Sequence, residues 1–212
     1  MELLAVIAIV SLLAATSSSI LPSLMQADQV DANVSALSGI LEQAREAALS
    51  RNTFVYVLFT GPLTSPSGGV GVAVVESQDG TDSLNNFSYS GPINASNGLT
   101  VVRKLQTLPA IKLLTQAQTE SRVTSLSMAS VPVLSAPGAA LPASLNLTLN
   151  VGGSPCTFTQ GVMFKPDGQV MVSTSAWNSS VEFGIESIRS SSPNIAVMRL
   201  TRLTGKLSVY RQ

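Results

Sequence analysis

Histidine is absent from this chain, and its absence excludes most of the chemistry that the other polar residues could perform. Without an imidazole there is no Ser-His-Asp or Cys-His relay and no H-E-x-x-H zinc site. Glu42 and Glu46 stand four residues apart, but such a pair is far more often a solvated helix face than an acid–base couple. Cys156 has no basic neighbour in GGSPCTFTQ that would activate its thiol. We therefore expect no catalytic residue, no metal site and no cofactor, and the chain is not expected to be an enzyme.

Basic residues are concentrated near the C-terminus of a chain whose formal net charge is zero. Five of the twelve basic residues follow position 186, and no acidic residue does. Such a cluster can contact nucleic-acid phosphates. The candidates for these contacts are Arg199, Arg202, Lys206 and Arg211. The alternative is a basic strand edge that discourages association between sheets. We favour the strand edge, because the whole chain is neutral, and DNA is therefore not an expected partner.

An acidic residue, Glu2, stands at the head of the apolar run MELLAVIAIVSLLAA. The run is too short for an ordinary transmembrane helix of about 20 residues unless the following TSSSILPSLM is added. A cleaved signal peptide is one interpretation, although no basic residue precedes the run. A plain membrane anchor is a second interpretation, because the N-terminal end of a helix dipole favours negative charge.

A third interpretation joins the apolar run to the segment that follows it. Apolar residues recur at three- and four-residue steps from Val30 to Ala48, which predicts an amphipathic helix, and Arg51-Asn52 is typical of a helix C-terminus. The sequence thus predicts one long N-terminal α-helix, apolar in its first half and amphipathic in its second. Hydroxyl groups and proline disturb helical hydrogen bonds, and they predict a break within this helix. The residues of this candidate break are Ser17, Ser18, Ser19 and Pro22.

The rest of the chain predicts a β-rich head. TFVYVLF, directly after the helix, is rich in β-branched and aromatic residues. The predicted strands are 53–59, 70–75, 99–102, 144–151, 161–164, 169–173, 181–188, 195–200 and 206–210. The polar stretch 76–97 and the proline-containing stretch 128–144 are predicted to be exposed loops.

The predicted fold class is therefore α+β, with the long N-terminal α-helix packed on an antiparallel β-rich head. We expect two units. Residues 1–25 form a hydrophobic membrane or filament-core helix, and residues 26–212 form a globular head. Within the head, an amphipathic helix at 26–51 precedes a β-sheet at 53–212.

These features resemble the type IV pilin superfamily. MELLAVIAIVSLLAA is similar to the processed N-terminus of a type IV pilin or type II secretion pseudopilin, so a leader and a few mature residues would precede Met1. LSGILEQAREAALSRNTFVYVLF is similar to the helix-to-strand region of H-type minor pseudopilins and FimT-like fimbrial proteins. FKPDGQV, which predicts a turn at 165–168, and LTGKLSVYRQ resemble the hairpin and closing strand of the same group.

The resemblance implies a structural subunit of a type IV pilus or pilus-like filament. Glu2 would neutralise the terminal amine of a neighbouring subunit, because a lone carboxylate in an apolar bundle is costly. Assembly would bury the apolar side chains Leu3, Leu4, Val6, Ile7, Ile9, Val10, Leu12 and Leu13. The subunit would wait in the cytoplasmic membrane until the pilus assembly machinery adds it to an extracellular homo-oligomeric filament. Two alternatives remain open: a minor pseudopilin of a type II secretion system, and a FimT-like minor pilin that binds DNA.

Overall fold

The computed structural model describes residues 2–61, 68–85, 87, 89–114, 116–125, 145–151, 154–172, 179–188 and 194–211. Between residues 2 and 28, side chains are described only for Val6 and Ile7. The predicted loop at 128–144 lies outside the described residues.

The described residues contain two α-helices and eleven strands. The helices are α1 (Glu2–Arg51) and α2 (Gln116–Ser125), and a short 3-10 helix lies at Ala95–Asn97. The first six strands are β1 (Val55–Thr60), β2 (Gly69–Ser77), β3 (Ser90–Pro92), β4 (Leu99–Pro109), β5 (Ile111–Leu114) and β6 (Asn146–Val151). The remaining strands are β7 (Ser154–Phe164), β8 (Val170–Met171), β9 (Ser180–Ser187), β10 (Ile195–Thr201) and β11 (Leu207–Arg211).

The predicted fold class, α+β with a long N-terminal helix, is wrong. About half of the residues with described side chains lie in strands of two sheets, so the fold is mostly β. The part of α1 whose side chains are described is one amphipathic stretch of 23 residues, Gln29–Arg51, which is not apolar enough to span a membrane. No helix in the described part of the chain is long and apolar enough to cross a membrane. The prediction gave the apolar N-terminal run too much weight and missed the short strands β3 and β5.

Two sheets form the body of the molecule. The first sheet has seven strands in the order β3-β6-β7-β1-β2-β4, with β8 paired to β7. Its pairs are antiparallel except β3–β6, which is parallel. The second sheet has four antiparallel strands in the order β11-β10-β9-β5. β1 lies at the centre of the first sheet, where Val57 stands opposite both Val74 and Val162.

The turn between β4 and β5 carries the chain from the first sheet to the second. Ala110 adopts a left-handed conformation there, with φ of 56°, and its N–H donates to the carbonyl of Gly68 at 3.4 Å. The carbonyl of Ala110 accepts from the N–H of Ile188, just past β9, at 2.9 Å. Asn33 of α1 donates its Nδ2 to the carbonyl of Pro109 at 2.8 Å. This corner therefore connects both sheets to α1.

α1 packs on both sheets through one apolar stripe. Its members are Val30, Val34, Leu37, Ile40, Leu41, Ala44 and Ala48, each at most 2% exposed. They share one core cluster with Val55, Val57 and Phe59 of β1 and with residues of β9 and β10. The rings of Phe59 and Phe183 lie 5.8 Å apart and link the two sheets inside this cluster. The predicted amphipathic pattern from Val30 to Ala48 is thus confirmed as a buried face.

The stretch 76–97 covers the far side of the first sheet, so its prediction as an exposed loop is wrong for the apolar residues that it buries, while most of its other described residues are exposed or half-exposed. Leu84, Phe87 and Ile93 are buried in a second core cluster. The apolar residues of this stretch stand singly among Ser, Asn, Asp and Gly, with neither a helix nor a strand period. A single apolar residue in a polar loop carries no periodic signal, and only the tertiary structure shows that it is buried.

Tyr56 of β1 holds the stretch 76–97 on the first sheet through a hydrogen bond and a ring contact. Its hydroxyl donates to Oδ1 of Asp82 at 2.8 Å, and its ring meets the ring of Phe87 edge-on at 6.0 Å. Burial raises the pKa of the Tyr56 phenol well above its usual range, and the nearby charge of Asp82 raises it further. Both faces of β1 are consequently covered, and all six of its residues are buried.

Because one face of α1 is buried and the other exposed, substitutions on the two faces should differ widely in their effect on the free energy of unfolding. Leu37→Ala should lower the free energy of unfolding by about 2 to 5 kcal/mol, because it leaves a cavity in the core that joins both sheets. Ser35→Ala, on the exposed face, should change it by no more than about 0.5 kcal/mol. Urea unfolding followed by circular dichroism measures both. Equal effects of the two substitutions would contradict the packing of α1 on the sheets.

Candidate assembly surface

Val6 and Ile7 are the predicted assembly residues whose side chains the structure describes. They are 59% and 56% exposed. The other predicted members lie outside the described side chains: Glu2, Leu3, Leu4, Ile9, Val10, Leu12 and Leu13. The candidate break at Ser17, Ser18, Ser19 and Pro22 falls within the bounds of α1, but its side chains are not described either. The pairing of Glu2 and the break both stay predictions.

Arg199, a candidate DNA contact, is held on the second sheet by Glu182 and Tyr210. Its Nε lies 2.5 Å from Oε1 of Glu182, the residue directly opposite it on β9. Its guanidinium carbon lies 5.5 Å from the centre of the Tyr210 ring. Glu182 is buried, and Ser180 donates to the same carboxylate oxygen at 2.8 Å. The guanidinium therefore compensates a carboxylate that would be costly to bury alone.

Arg211 is also paired with a carboxylate. It ends β11, and its guanidinium lies 2.7 Å from Oδ1 of Asp31 on α1. Arg202 and Lys206 lie in the connection between β10 and β11, where Lys206 is exposed. Two of the four candidate DNA contacts are thus neutralised within the chain, which weakens the attraction that this region can exert on phosphates.

A second buried carboxylate, Glu186, was not singled out by the sequence. Its Oε2 lies 3.0 Å from Nζ of Lys112, and its Oε1 lies 3.1 Å from the guanidinium of Arg122. Oε2 has the distance of an ion pair without the geometry of a hydrogen bond. The available signal was the alternation in SVEFGIES, which places both glutamates on one face of β9 and three apolar residues on the other. A buried ion pair could have been predicted from this pattern.

α2 covers the polar face of β9 and was not predicted. Gly184 donates its N–H to Oγ1 of Thr119 at 3.1 Å. A Cβ at position 184 would lie 2.8 Å from that oxygen and 3.0 Å from a methyl carbon of Leu114, so only glycine allows this approach. QAQTESRVTS has ten residues and little apolar character. Helices this short depend on tertiary packing, which explains why the pattern alone did not predict one.

Two tight turns meet beside the C-terminal part of α1. The predicted turn at 165–168 is confirmed, since the N–H of Gly168 donates to the carbonyl of Lys165 at 2.9 Å. In the second turn, the N–H of Gly205 donates to the carbonyl of Thr201 at 2.7 Å. The N–H of Val170 donates to the carbonyl of Arg202 at 2.8 Å and joins the two turns. We call this pair the distal turns, residues 165–168 and 202–205.

A polar cleft of about 470 Å³ lies at the end of α1. It is lined by Arg51, Asn52, Thr53, Glu76, Ser77, Gln78, Asp79 and Gly80. Arg51 and Glu76 form an ion pair of 2.5 Å at this cleft. Hydrogen bonds from Ser77 and from the backbone and hydroxyl of Thr81 lower the pKa of Asp79 to about 2. Several polar groups that line the cleft are thus hydrogen-bonded or ion-paired with one another.

No group of three or more His, Cys, Asp or Glu that could hold a metal ion occurs in the described part of the chain. No family model matches the sequence, and no curated protein or solved structure is significantly similar to it.

The two paired arginines should differ in their contributions to stability. Arg199→Met should lower the free energy of unfolding by about 3 kcal/mol, because it leaves the buried Glu182 carboxylate without its cation. Arg211→Met should cost less than about 1 kcal/mol, since its pair with Asp31 is solvent-exposed. Chemical denaturation at neutral pH measures both values. A larger loss at position 211 would contradict this assignment.

Asp79 should make the free energy of unfolding depend on pH at values below the usual pKa of an aspartate. Its pKa is about 2 in the folded chain against a usual 3.8. The stabilisation is therefore complete above 3.8 and is lost as the pH falls towards 2. Asp79→Asn should make the dependence of stability on pH in this window less steep. Unfolding measured at several acidic pH values tests this, and an unchanged slope in the variant would contradict it.

Proposed function

We propose that this chain is a structural subunit of a type IV pilus or pilus-like filament, assembled through its hydrophobic segment at residues 1–25. The observation that carries the proposal is the exposure of Val6 and Ile7 at 59% and 56%. From residue 29 onward the side chains of α1 are described, and Val30 is the first of them that is buried in the head. The head therefore has a core that does not draw on Val6 or Ile7, and these two apolar side chains are available to another partner.

Burial of such a segment supplies the energy for assembly. A fully buried large apolar side chain contributes roughly 1.5 to 3 kcal/mol relative to water. The gain is smaller for a subunit that arrives from lipid, because its side chains have already left water. Specificity then has to come from polar groups, and Glu2 at the head of the run is suited to pair with a cation of a neighbouring subunit.

The partners follow from this proposal. Further copies of the chain bury the apolar segment in the filament, and the cytoplasmic membrane holds it before assembly. The pilus assembly machinery moves subunits from one to the other, and the finished filament is extracellular. A minor pseudopilin of a type II secretion system would use the same segment in the same way. The DNA-binding alternative has less support, because Arg199 and Arg211 are paired with carboxylates.

Electron microscopy of material sheared from the cell surface tests the proposal directly. Filaments whose peptides derive mainly from this chain support a major subunit, and trace amounts within filaments of another protein support a minor one. Surface material with no trace of the chain, from cells that produce it, would count against both.

Glu2→Ala should leave membrane association intact and reduce filament yield, because the apolar segment loses a charge while a neighbouring cation loses its partner. Glu2→Gln, which keeps the size of the side chain, should reduce the yield equally if charge is what counts. Fractionation measures membrane association, and microscopy measures filament number. Normal filament numbers from both variants would refute the pairing of Glu2.

A further inference from the structure

α2 rests on the outward face of the second sheet, which points away from α1. Met198 and Leu200 of β10 lie in the core with α1, so the alternation of the strand places Ile195 and Val197 on the outward face. These two residues and Leu114 of β5 form a small apolar cluster that is separate from the main core. All three are at most 4% exposed. The outward face therefore carries apolar side chains that need a cover.

Little apolar surface holds α2 on this face. Val123 is the one large apolar residue of the helix, and it packs on the cluster while remaining half-exposed. Among the described side chains of α2, Thr119 is the one that is buried, and Ala117 is exposed. A helix of ten residues with so few apolar contacts is not stable by itself. Its helical conformation therefore depends on its contacts with the sheet.

Two polar contacts fix α2 to β9. The hydroxyl oxygen of Thr119 accepts from the N–H of Gly184 at 3.1 Å. The guanidinium of Arg122 lies 3.1 Å from Oε1 of Glu186. Gly184 and Glu186 stand two residues apart in β9 and so belong to the same face of the strand. The two contacts together determine where the helix sits on the sheet.

The second sheet keeps its buried charges compensated without α2. Glu186 also faces Lys112, the residue directly opposite it on β5, whose Nζ lies 3.0 Å from Oε2. The other buried carboxylate of β9, Glu182, is paired with Arg199 of β10. The side chain of Arg122 is 44% exposed and is thus already partly hydrated. Release of α2 consequently leaves no buried carboxylate without a cation, and it breaks no pairing between strands.

We propose that α2 is a strap that opens as one unit while both sheets stay folded. The hydrogen bond between Thr119 and Gly184 and the ion pair between Arg122 and Glu186 form its lock. Elements with few buried contacts commonly open at a lower free energy than the whole molecule. Opening uncovers the apolar cluster and one oxygen of the Glu186 carboxylate. The strap thus determines whether the outward face of the second sheet presents polar or apolar groups to the solvent.

Gly184→Ala tests the strap by placing a methyl group beneath it. A Cβ at this position would lie 2.8 Å from Oγ1 of Thr119 and 3.0 Å from Cδ1 of Leu114. Gly184 is not among the glycines with positive φ, so alanine fits the backbone and strains the contact with α2. Hydrogen exchange of the full-length chain in detergent micelles, followed by mass spectrometry, measures the opening. We expect exchange in α2 to become about tenfold faster, while exchange in β1 stays unchanged.

Two further variants address the lock itself. Arg122→Met removes the ion pair and should also speed exchange in α2. Arg211→Met, at an arginine of the same sheet that is paired with α1, is the matched control and should leave exchange in α2 unchanged. Thr119→Ala removes the oxygen that the new methyl group would meet. The chain with both Thr119→Ala and Gly184→Ala should therefore open α2 no further than Thr119→Ala alone.

The same measurements can overturn the proposal. Equal acceleration of exchange in α2 and β1, with a lower thermal midpoint of the whole chain, would mean that α2 opens only in global unfolding. Unchanged exchange in α2 of both Gly184→Ala and Arg122→Met would refute the lock. Additive effects of Thr119→Ala and Gly184→Ala would show that the contact between these two residues does not hold the strap.

Discussion

The burial of one apolar stripe of α1 against both sheets is the interaction on which the rest of the fold depends. Among the described residues the two sheets share no strand ladder, and each presents an apolar face to the core that contains this stripe. Val57 of β1 and Ile185 of β9 lie in one core cluster with the stripe, and without α1 this cluster would lose the side chains that cover it. The corner at Ala110 fixes the path of the chain between the sheets, but its few hydrogen bonds contribute far less than the burial of the stripe.

The charges of the second sheet follow from the same arrangement. β9 turns Val181, Phe183 and Ile185 towards the core, so Glu182 and Glu186 must lie on the opposite face. Both carboxylates are buried there and need cations. Arg199 of β10, Lys112 of β5 and Arg122 of α2 supply them. Of the basic residues that form a cluster in the sequence, Arg199 is in this way used within the sheet, and Arg211 is paired with Asp31 of α1.

Much of the β-structure could be predicted from the sequence, because several strands have clear β-branched or alternating patterns. The buried stripe of α1 was equally evident from its period. The strands β3 and β5 were missed since each is short, and residues 76–97 were misread because isolated apolar residues have no period. For the site, the partner of Arg199 depended on the register between β9 and β10, which a sequence pattern does not specify. The overall fold class failed for a related reason, since the extent of pairing between strands is a tertiary property.

One edge of the first sheet is protected against the addition of a further strand. β4 is an edge strand, and a long open edge usually invites a further strand. Its pairing with β2 shifts register twice, around Val72, Val74 and Val75, and it carries Arg103 and an exposed Lys104. Bulges and charges of this kind oppose the addition of a strand. Growth by extension of the sheet is therefore disfavoured at this edge.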